Sequence, residues 1–264
     1  MTTTFVSSMN MNLYNHYGSV FLSEFEKYSG DDINLINVFE GDIPAALHKN
    51  KKIFTIPLQS EQHVKFQMYF GRLWEANGLR IIHQKKNNNE QTFNLNWDYK
   101  FNAMRFSFKI FSIFLALEHQ KMGDNFIWID ADMRCLKHFG ADGINKFMPN
   151  EDQIMSYLGR KNHYSECGFL GFNNNHAQTS KYLNRVKDIY TTGEIFSLDE
   201  WHDSWIWDHV RGEFENKGNK FKNISTNPNA HHPFVNSGLQ EFFDHLKGPE
   251  RKKMGKSFDY DYVE

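Results

Sequence analysis

Two aspartates one residue apart, Asp130-Ala-Asp132, are the side chains in this sequence best placed for chemistry. They close an apolar run, Phe126-Ile-Trp-Ile129. A run of about four apolar residues closed by polar ones reads as a buried strand of an α/β sheet. The acids then sit at its carboxyl end, where open α/β sheets bind ligands. In extended chain residues i and i+2 share a side, so both carboxylates converge on one object. Without a cation they repel, and one would have to hold a proton. A hard divalent ion, Mg²⁺ or Mn²⁺, resolves the conflict through oxygen ligands that it often shares with phosphates. The bland alternative is two hydrated aspartates in a turn; the strand and helix leading into the pair weaken it.

The totals bound the rest. The chain has 264 residues, 40% of them hydrophobic, with 25 phenylalanines and a formal net charge of −2. That composition fills a core and clefts with rings. It argues against tight, non-specific nucleic-acid binding but leaves room for a local basic groove, such as one using the Lys51-Lys52 and Lys85-Lys86 pairs. The two cysteines, Cys135 and Cys167, lie near apolar strands and make no disulfide scaffold, so free, buried thiols in a reducing compartment are expected. The longest apolar run, Ile110 to Leu117, is too short to span a bilayer. The first residues lack the basic start and apolar core of a signal peptide. A cytoplasmic protein without membrane insertion is expected.

The elements that must position the aspartates follow in order. Thr2 to Ser7 reads as a strand, Asn15 caps a helix through Tyr28, and Ile33 to Phe39 is a second strand. This βαβ unit predicts a parallel sheet. No Gly-x-Gly-x-x-Gly and no P-loop is present. A strand over Lys51 to Leu58, a helix over Gln62 to Asn77 and a strand over Leu79 to His83 come next, then a surface loop, Lys85 to Glu90. Asp98 caps a long helix, Tyr99 to His119, which carries Arg105 and Lys109 four residues apart on one face. Beyond the aspartates, Met155 to Arg160 and His163 to Asn173 are strands, the second interrupted by Gly168 and Gly171. Glycine inside such a strand marks close approach of a ligand or another backbone. Asn174 to Tyr190 is helical, and Ser197 or Asp199 caps a further helix through Val210. Leu239 to Asp244 reads as a short helix, and His245 to Lys256 as a basic loop. That loop has five cations facing only Glu250, so it should be mobile without an anion. No repeat or linker divides the chain.

The strand-borne D-x-D resembles that of glycosyltransferases of the GT-A fold, where it holds the metal on a sugar nucleotide's diphosphate. The resemblance extends in order through Tyr17-Gly18, Trp97 to Lys109, Trp128 to Asp132, Tyr157 to Arg160, Ser165 to Asn173, Glu200 to Ser204 and His245 to Ser257. Together these are similar to a set of GT-A-like proteins frequent in phage and bacterial genomes. The resemblance implies an α/β, GT-A-like (Rossmann-like) fold: a mixed, mainly parallel sheet flanked by helices in a single domain over 1–264. Residues 1–137 would bind the nucleotide sugar, and 138–264 would supply the acceptor half and a C-terminal phosphate and metal loop.

It further implies a hexosyltransferase using Mn²⁺ or Mg²⁺ on Asp130, Asp132 and His245, with a UDP-sugar as the expected donor. Arg105, Lys109, Lys247, Gly248, Arg251 and Lys252 would attend the diphosphate, though Arg105 and Lys109 could equally snorkel from an apolar helix. Asp203 or Glu200 would serve as catalytic acid residue, either deprotonating the acceptor or orienting the donor sugar. Glu166, Gly168, Trp201 and His202 would line the substrate cleft, although a solvated Glu166 and a helix-capping acid near residue 200 are ordinary structural alternatives. The acceptor is either a surface glycan or a hydroxylated base in phage DNA. Nucleotidyl transfer and a non-catalytic carbohydrate-binding module are the competing readings.

Overall fold

The structure, a computed structural model, describes residues 3–49, 51–85, 91–119 and 123–262. Its centre is a sheet of seven strands: β1 (Thr3–Asn10), β2 (Ile33–Glu40), β3 (Ile53–Pro57), β6 (Asn125–Ile129), β8 (Gln153–Arg160), β9 (His163–Asn173) and β10 (Lys220–Asn223). The spatial order is β10-β8-β9-β6-β1-β2-β3. Neighbours pair in parallel except β9, which runs antiparallel to both β6 and β8. This is the mixed, mainly parallel sheet expected. Two further ribbons stand apart, β4 (Leu79–Lys85) with β5 (Gln91–Trp97), and β7 (Met133–Cys135) with β11 (Phe243–His245).

Eight helices accompany the strands among the described residues: α1 (Met11–Leu13), α2 (Ser19–Tyr28), α3 (Glu61–Phe70), α4 (Ala103–His119), α5 (Ala141–Asn145), α6 (Thr179–Thr191), α7 (Asp203–Glu215) and α8 (Pro249–Met254). Strand β6 shows why the sheet is covered on both faces. Phe126 and Trp128 join one apolar cluster with Phe111, Ile113 and Trp207, while Ile127 and Ile129 join a second with Phe25, Phe139 and Phe243. A strand buried on both sides must be apolar at every position, which is how it reads in sequence.

Several expected boundaries shift for local reasons. The first helix is not capped by Asn15: Asn10 caps α1, a π-turn over Tyr14–Gly18 follows, and α2 begins at Ser19. The helix expected over 62–77 breaks after Phe70, and a 3₁₀ turn, Glu75–Asn77, ends at Gly78 with φ 87°. Asp98 caps a 3₁₀ turn, Tyr99–Phe101, rather than α4 itself, and α6 starts at Thr179, not Asn174. Neither Ser197 nor Asp199 caps α7, whose N-cap is His202, its ring nitrogen accepting from the Trp205 amide. Leu239–Asp244 is a 3₁₀ turn, Gly238–Glu241, running into β11. Strands β5, β7 and β10 are not expected from the sequence, and the loop expected at Lys85–Glu90 falls mostly outside the described residues. Both cysteines are free and buried, and no described helix is long and apolar enough to cross a membrane.

Candidate functional site

The carboxyl ends of β1, β2, β6 and β8 open on the same edge of the sheet, because these strands are mutually parallel or related through two antiparallel steps. Asp130 and Asp132 follow β6 directly. Their third partner arrives by strand pairing: β7 continues from the aspartates, and β11 lies against it with His245 opposite Met133. One ligand atom each from Asp130, Asp132 and His245 lies within 4.8 Å of the others. The His245 Nε2 is 3.3 Å from Asp132 and 3.9 Å from Asp130, and its Nδ1 is 2.5 Å from Glu166 Oε1.

That donor set fits a divalent ion. Two hard carboxylates and an imidazole suit Mn²⁺ or Mg²⁺, and a buried carboxylate on the far ring nitrogen is the usual means of aiming a ligating histidine. Burial opposes charge on His245, but Asp132 and Glu166 outweigh it and raise its pKa to about 10. The ring thus stands as an imidazolium between carboxylates, and a metal on Nε2 would displace that proton. Burial likewise opposes ionisation of Asp132 and Glu166. His245 with Lys252 in the first case, and Lys247 with His245 in the second, hold both carboxyls well below their ordinary range.

Lys109 is the hub of the site. It neither snorkels to solvent nor points freely at the cavity: its Nζ donates to Asp130 (3.0 Å), to Asp203 (2.8 Å) and to the Cys167 carbonyl (2.6 Å). Burial alone would lower its pKa, and the two carboxylates raise it instead. Asp203, the first residue of α7, is half-buried and kept ionised by this ammonium, while its other oxygen accepts from the Ser204 amide. Burial raises the Asp130 carboxyl, with Lys109 pulling the other way and Asp132 pushing it further up.

Two cavities meet at Asp130, Phe106 and Asp203. The larger, about 650 Å³, runs from there past Asp132, Arg105 and Lys252 to Tyr17, Asn10 and Glu40. The smaller, about 290 Å³, is walled by Tyr99, Tyr164, His202, Arg160 and Lys247.

The anticipated site residues divide accordingly. Asp130, Asp132, Lys109, Arg105, Lys252 and Asp203 line the larger cavity; Glu166, Gly168, His202, His245 and Lys247 line the smaller. Gly168 faces the His245 ring, where a Cβ would come within 2.9 Å, so glycine there seats the histidine. Glu166 is no solvated edge acid; it is buried and shared by His245 and Lys247. Four residues lie elsewhere. Trp201 is a core ring packed on Phe101 and Phe196. Glu200 lines neither cavity, its carboxylate being taken by Lys100 and His202. Arg251 pairs with Asp261, and Gly248, at φ 84°, makes the turn into α8.

The C-terminal segment is therefore not a loop of self-repelling charge. Lys247, Arg251 and Lys252 are each neutralised by an acid from outside it, Glu166, Asp261 and Asp132. Asp244 further ties it down through Ser257. Glu40 and Arg160 were missed as site residues although each ends a strand at the same sheet edge, the one signal that would have found them. Burial raises the Glu40 carboxyl to about 7, with the Asn10 amide acting against it.

No family model and no curated protein matches the chain. Among solved structures, it is similar to mouse xyloside xylosyltransferase 1 in its apo form, at 11% identity and a TM-score of 0.47, over 85% of this chain and 86% of that one.

Proposed function

We propose that this chain is a GT-A-like, metal-dependent glycosyltransferase that moves a sugar from a nucleoside-diphosphate donor, a UDP-sugar in the first instance, to an acceptor hydroxyl. The observation that carries this reading is one half-buried acid, Asp203, shared by two cavities beside a cluster of three potential metal ligands. The larger cavity is the donor side and the smaller the acceptor side. A divalent ion on Asp130, Asp132 and His245 would act as a Lewis acid toward the leaving diphosphate.

The chain's own residues supply the rest. Arg105 and Lys252 offer cations to phosphate oxygens from the wall of the larger cavity. Lys109 fixes Asp130 and Asp203 relative to each other, so acid and metal ligand keep a set separation. Asp203, ionised and exposed to both cavities, accepts the hydrogen bond and then the proton of the acceptor hydroxyl. Glu166 holds the His245 ring in place and leaves Nε2 toward the aspartates. Glu200, Trp201, Gly248 and Arg251 are positioning or structural residues in this scheme.

The test is a screen of UDP- and GDP-sugars for donor hydrolysis by the whole chain, with Mn²⁺ and with EDTA. At least one donor should be hydrolysed with metal only, and Asp132→Ala should abolish it with the fold intact. Full activity in EDTA, or hydrolysis undiminished in the variant, would sink the proposal.

A further inference from the structure

The smaller cavity holds a group that the transfer scheme does not use. Arg160, the last residue of β8, lines it. Its Nε donates to the Tyr164 carbonyl at 2.6 Å, which fixes the plane of the guanidinium, and no described carboxylate pairs with it. The lysines of the junction, by contrast, are all neutralised: Lys109 by Asp130 and Asp203, Lys247 by Glu166, Lys252 by Asp132. A half-buried guanidinium held in place without a counter-charge favours an anion, and its planar fork suits a carboxylate or phosphate.

The charge does not stop there. Arg160 also lines two cavities along the β8–β9 hairpin, one of them with Asp208, whose carboxylate is taken by Arg211 and Ser165. The other, about 240 Å³, is lined by Lys161, His163 and His231 and by no described carboxylate. The hairpin turn that sets these side chains is built on Asn162, at φ 59°, in the left-handed region that asparagine tolerates. Inside, the rings of Tyr99, Phe106 and Tyr164 offer flat faces of the size of a sugar ring.

We infer that the accepting sugar carries an anionic group, a carboxylate or a phosphate monoester, which Arg160 reads inside the smaller cavity, with Lys161 extending the preference outward. This rests on the reading of that cavity as the acceptor side. A base extruded from nucleic acid fits the charges less well. Its nucleotide brings a phosphate on each side, whereas the unpaired cations of this cavity and its extension, Arg160 and Lys161, lie on the hairpin side. Lys100, next to Tyr99 of this cavity in the chain, is already bound by Glu200 at 2.9 Å.

The test titrates the whole chain, with UDP and Mn²⁺ and again without them, against four probes. These are glucuronate, glucose 6-phosphate, glucose and a single-stranded oligonucleotide containing 5-hydroxymethylcytosine, each followed by ligand-observed NMR. At least one anionic sugar should bind about tenfold or more tightly than glucose, the size of one charged hydrogen-bonded contact. The two anionic sugars distinguish a carboxylate from a phosphate. Arg160→Gln should abolish the preference, and Lys161→Gln should weaken it about twofold, as befits an exposed cation. UDP binding by both variants reports that they are folded. Equal binding of charged and neutral sugars, binding of none, a preference that survives Arg160→Gln in a folded variant, or selection of the oligonucleotide would overturn the inference. Failure of the wild-type chain to bind UDP would instead overturn the transfer reading, and the titration without UDP still decides the anionic preference.

Discussion

Two bases are buried against helix α4, and they meet burial in opposite ways. Lys109 has its side chain 10% exposed and stays charged, because two carboxylates and a carbonyl surround its ammonium. His63 of α3 is 3% exposed, stacked on Phe111 and edged by Phe108, and among the described residues its Nε2 meets only the Ser107 hydroxyl, at 3.1 Å. With no charged partner, burial lowers its pKa to about 4, so the ring is neutral at pH 7. Removing a charge from water costs several kcal/mol, and a protein either surrounds the charge or gives it up. Here the charge is kept where the helix faces the two cavities and given up where it faces apolar core. Retained charge thus marks the part of α4 that lines the larger cavity.

The most severe way to break this contrast is Lys109→Met. It leaves Asp130 and Asp203 close together and mostly buried without their shared cation. Loss of one partner from such a cluster costs about 3–5 kcal/mol, which urea unfolding without divalent metal would measure. Stability within about 1 kcal/mol of wild type would mean that the carboxylates relax by taking up protons, and that Lys109 is dispensable to the frame.

The counterpart test is acid titration of His63. Its folded pKa lies below its ordinary 6.5, so the unfolded chain binds the proton first as pH falls. The stability contribution is therefore present above pH 6.5 and is lost as pH drops toward 4. The loss amounts to about 1.4 kcal/mol per pH unit and about 3 kcal/mol in all. His63→Leu leaves the Ser107 hydroxyl donating to the Met104 carbonyl and removes this sensitivity. Wild type should lose about 3 kcal/mol more than the variant between pH 6.5 and 4; parallel curves would show that the ring is not held neutral.

What the sequence made legible follows the same divide between local and distant partners. Asp130 and Asp132 were readable because their convergence depends only on two-residue periodicity at the end of one apolar strand. Lys109 and Arg105 were placed on one helix face for the equivalent reason. What Lys109 binds was not readable, since its partner Asp203 lies 94 residues on. The Glu166–His245 contact spans 79 residues and depends on β11, three residues whose pattern merges with the helical-looking stretch before it. Counting charges within the C-terminal stretch suggested a mobile loop, because the acids that neutralise it come from elsewhere. Trp201 looked like a cleft residue from its neighbours, but the chain turns it into the core ahead of α7.

The charge on Asp203 can be removed without disturbing the shape of the junction. Asp203→Asn keeps an oxygen able to accept from the Ser204 amide while losing the proton-accepting carboxylate. Turnover should fall by about a hundredfold, a modest value for loss of a general base, with UDP affinity unchanged. Normal turnover would reduce Asp203 to the first residue of a helix and leave Lys109 holding a merely structural pair.

The last test takes a third base, on α4 one turn before Lys109. Arg105 is exposed, has no described carboxylate partner, and lines the larger cavity. It therefore represents charge that was never buried and had nothing to offset. A cation so placed adds to the binding of a diphosphate without supporting the fold, so Arg105→Gln should leave stability within about 0.5 kcal/mol of wild type. UDP affinity should drop about tenfold, the worth of one charged contact. Because the group is exposed to salt, the difference should shrink as ionic strength rises toward 1 M. Calorimetric titration of UDP at low and high salt measures both effects. Unchanged affinity at low salt would mean that the buried frame around Lys109 and the metal ligands holds the nucleotide alone, and that exposed charge on α4 is incidental.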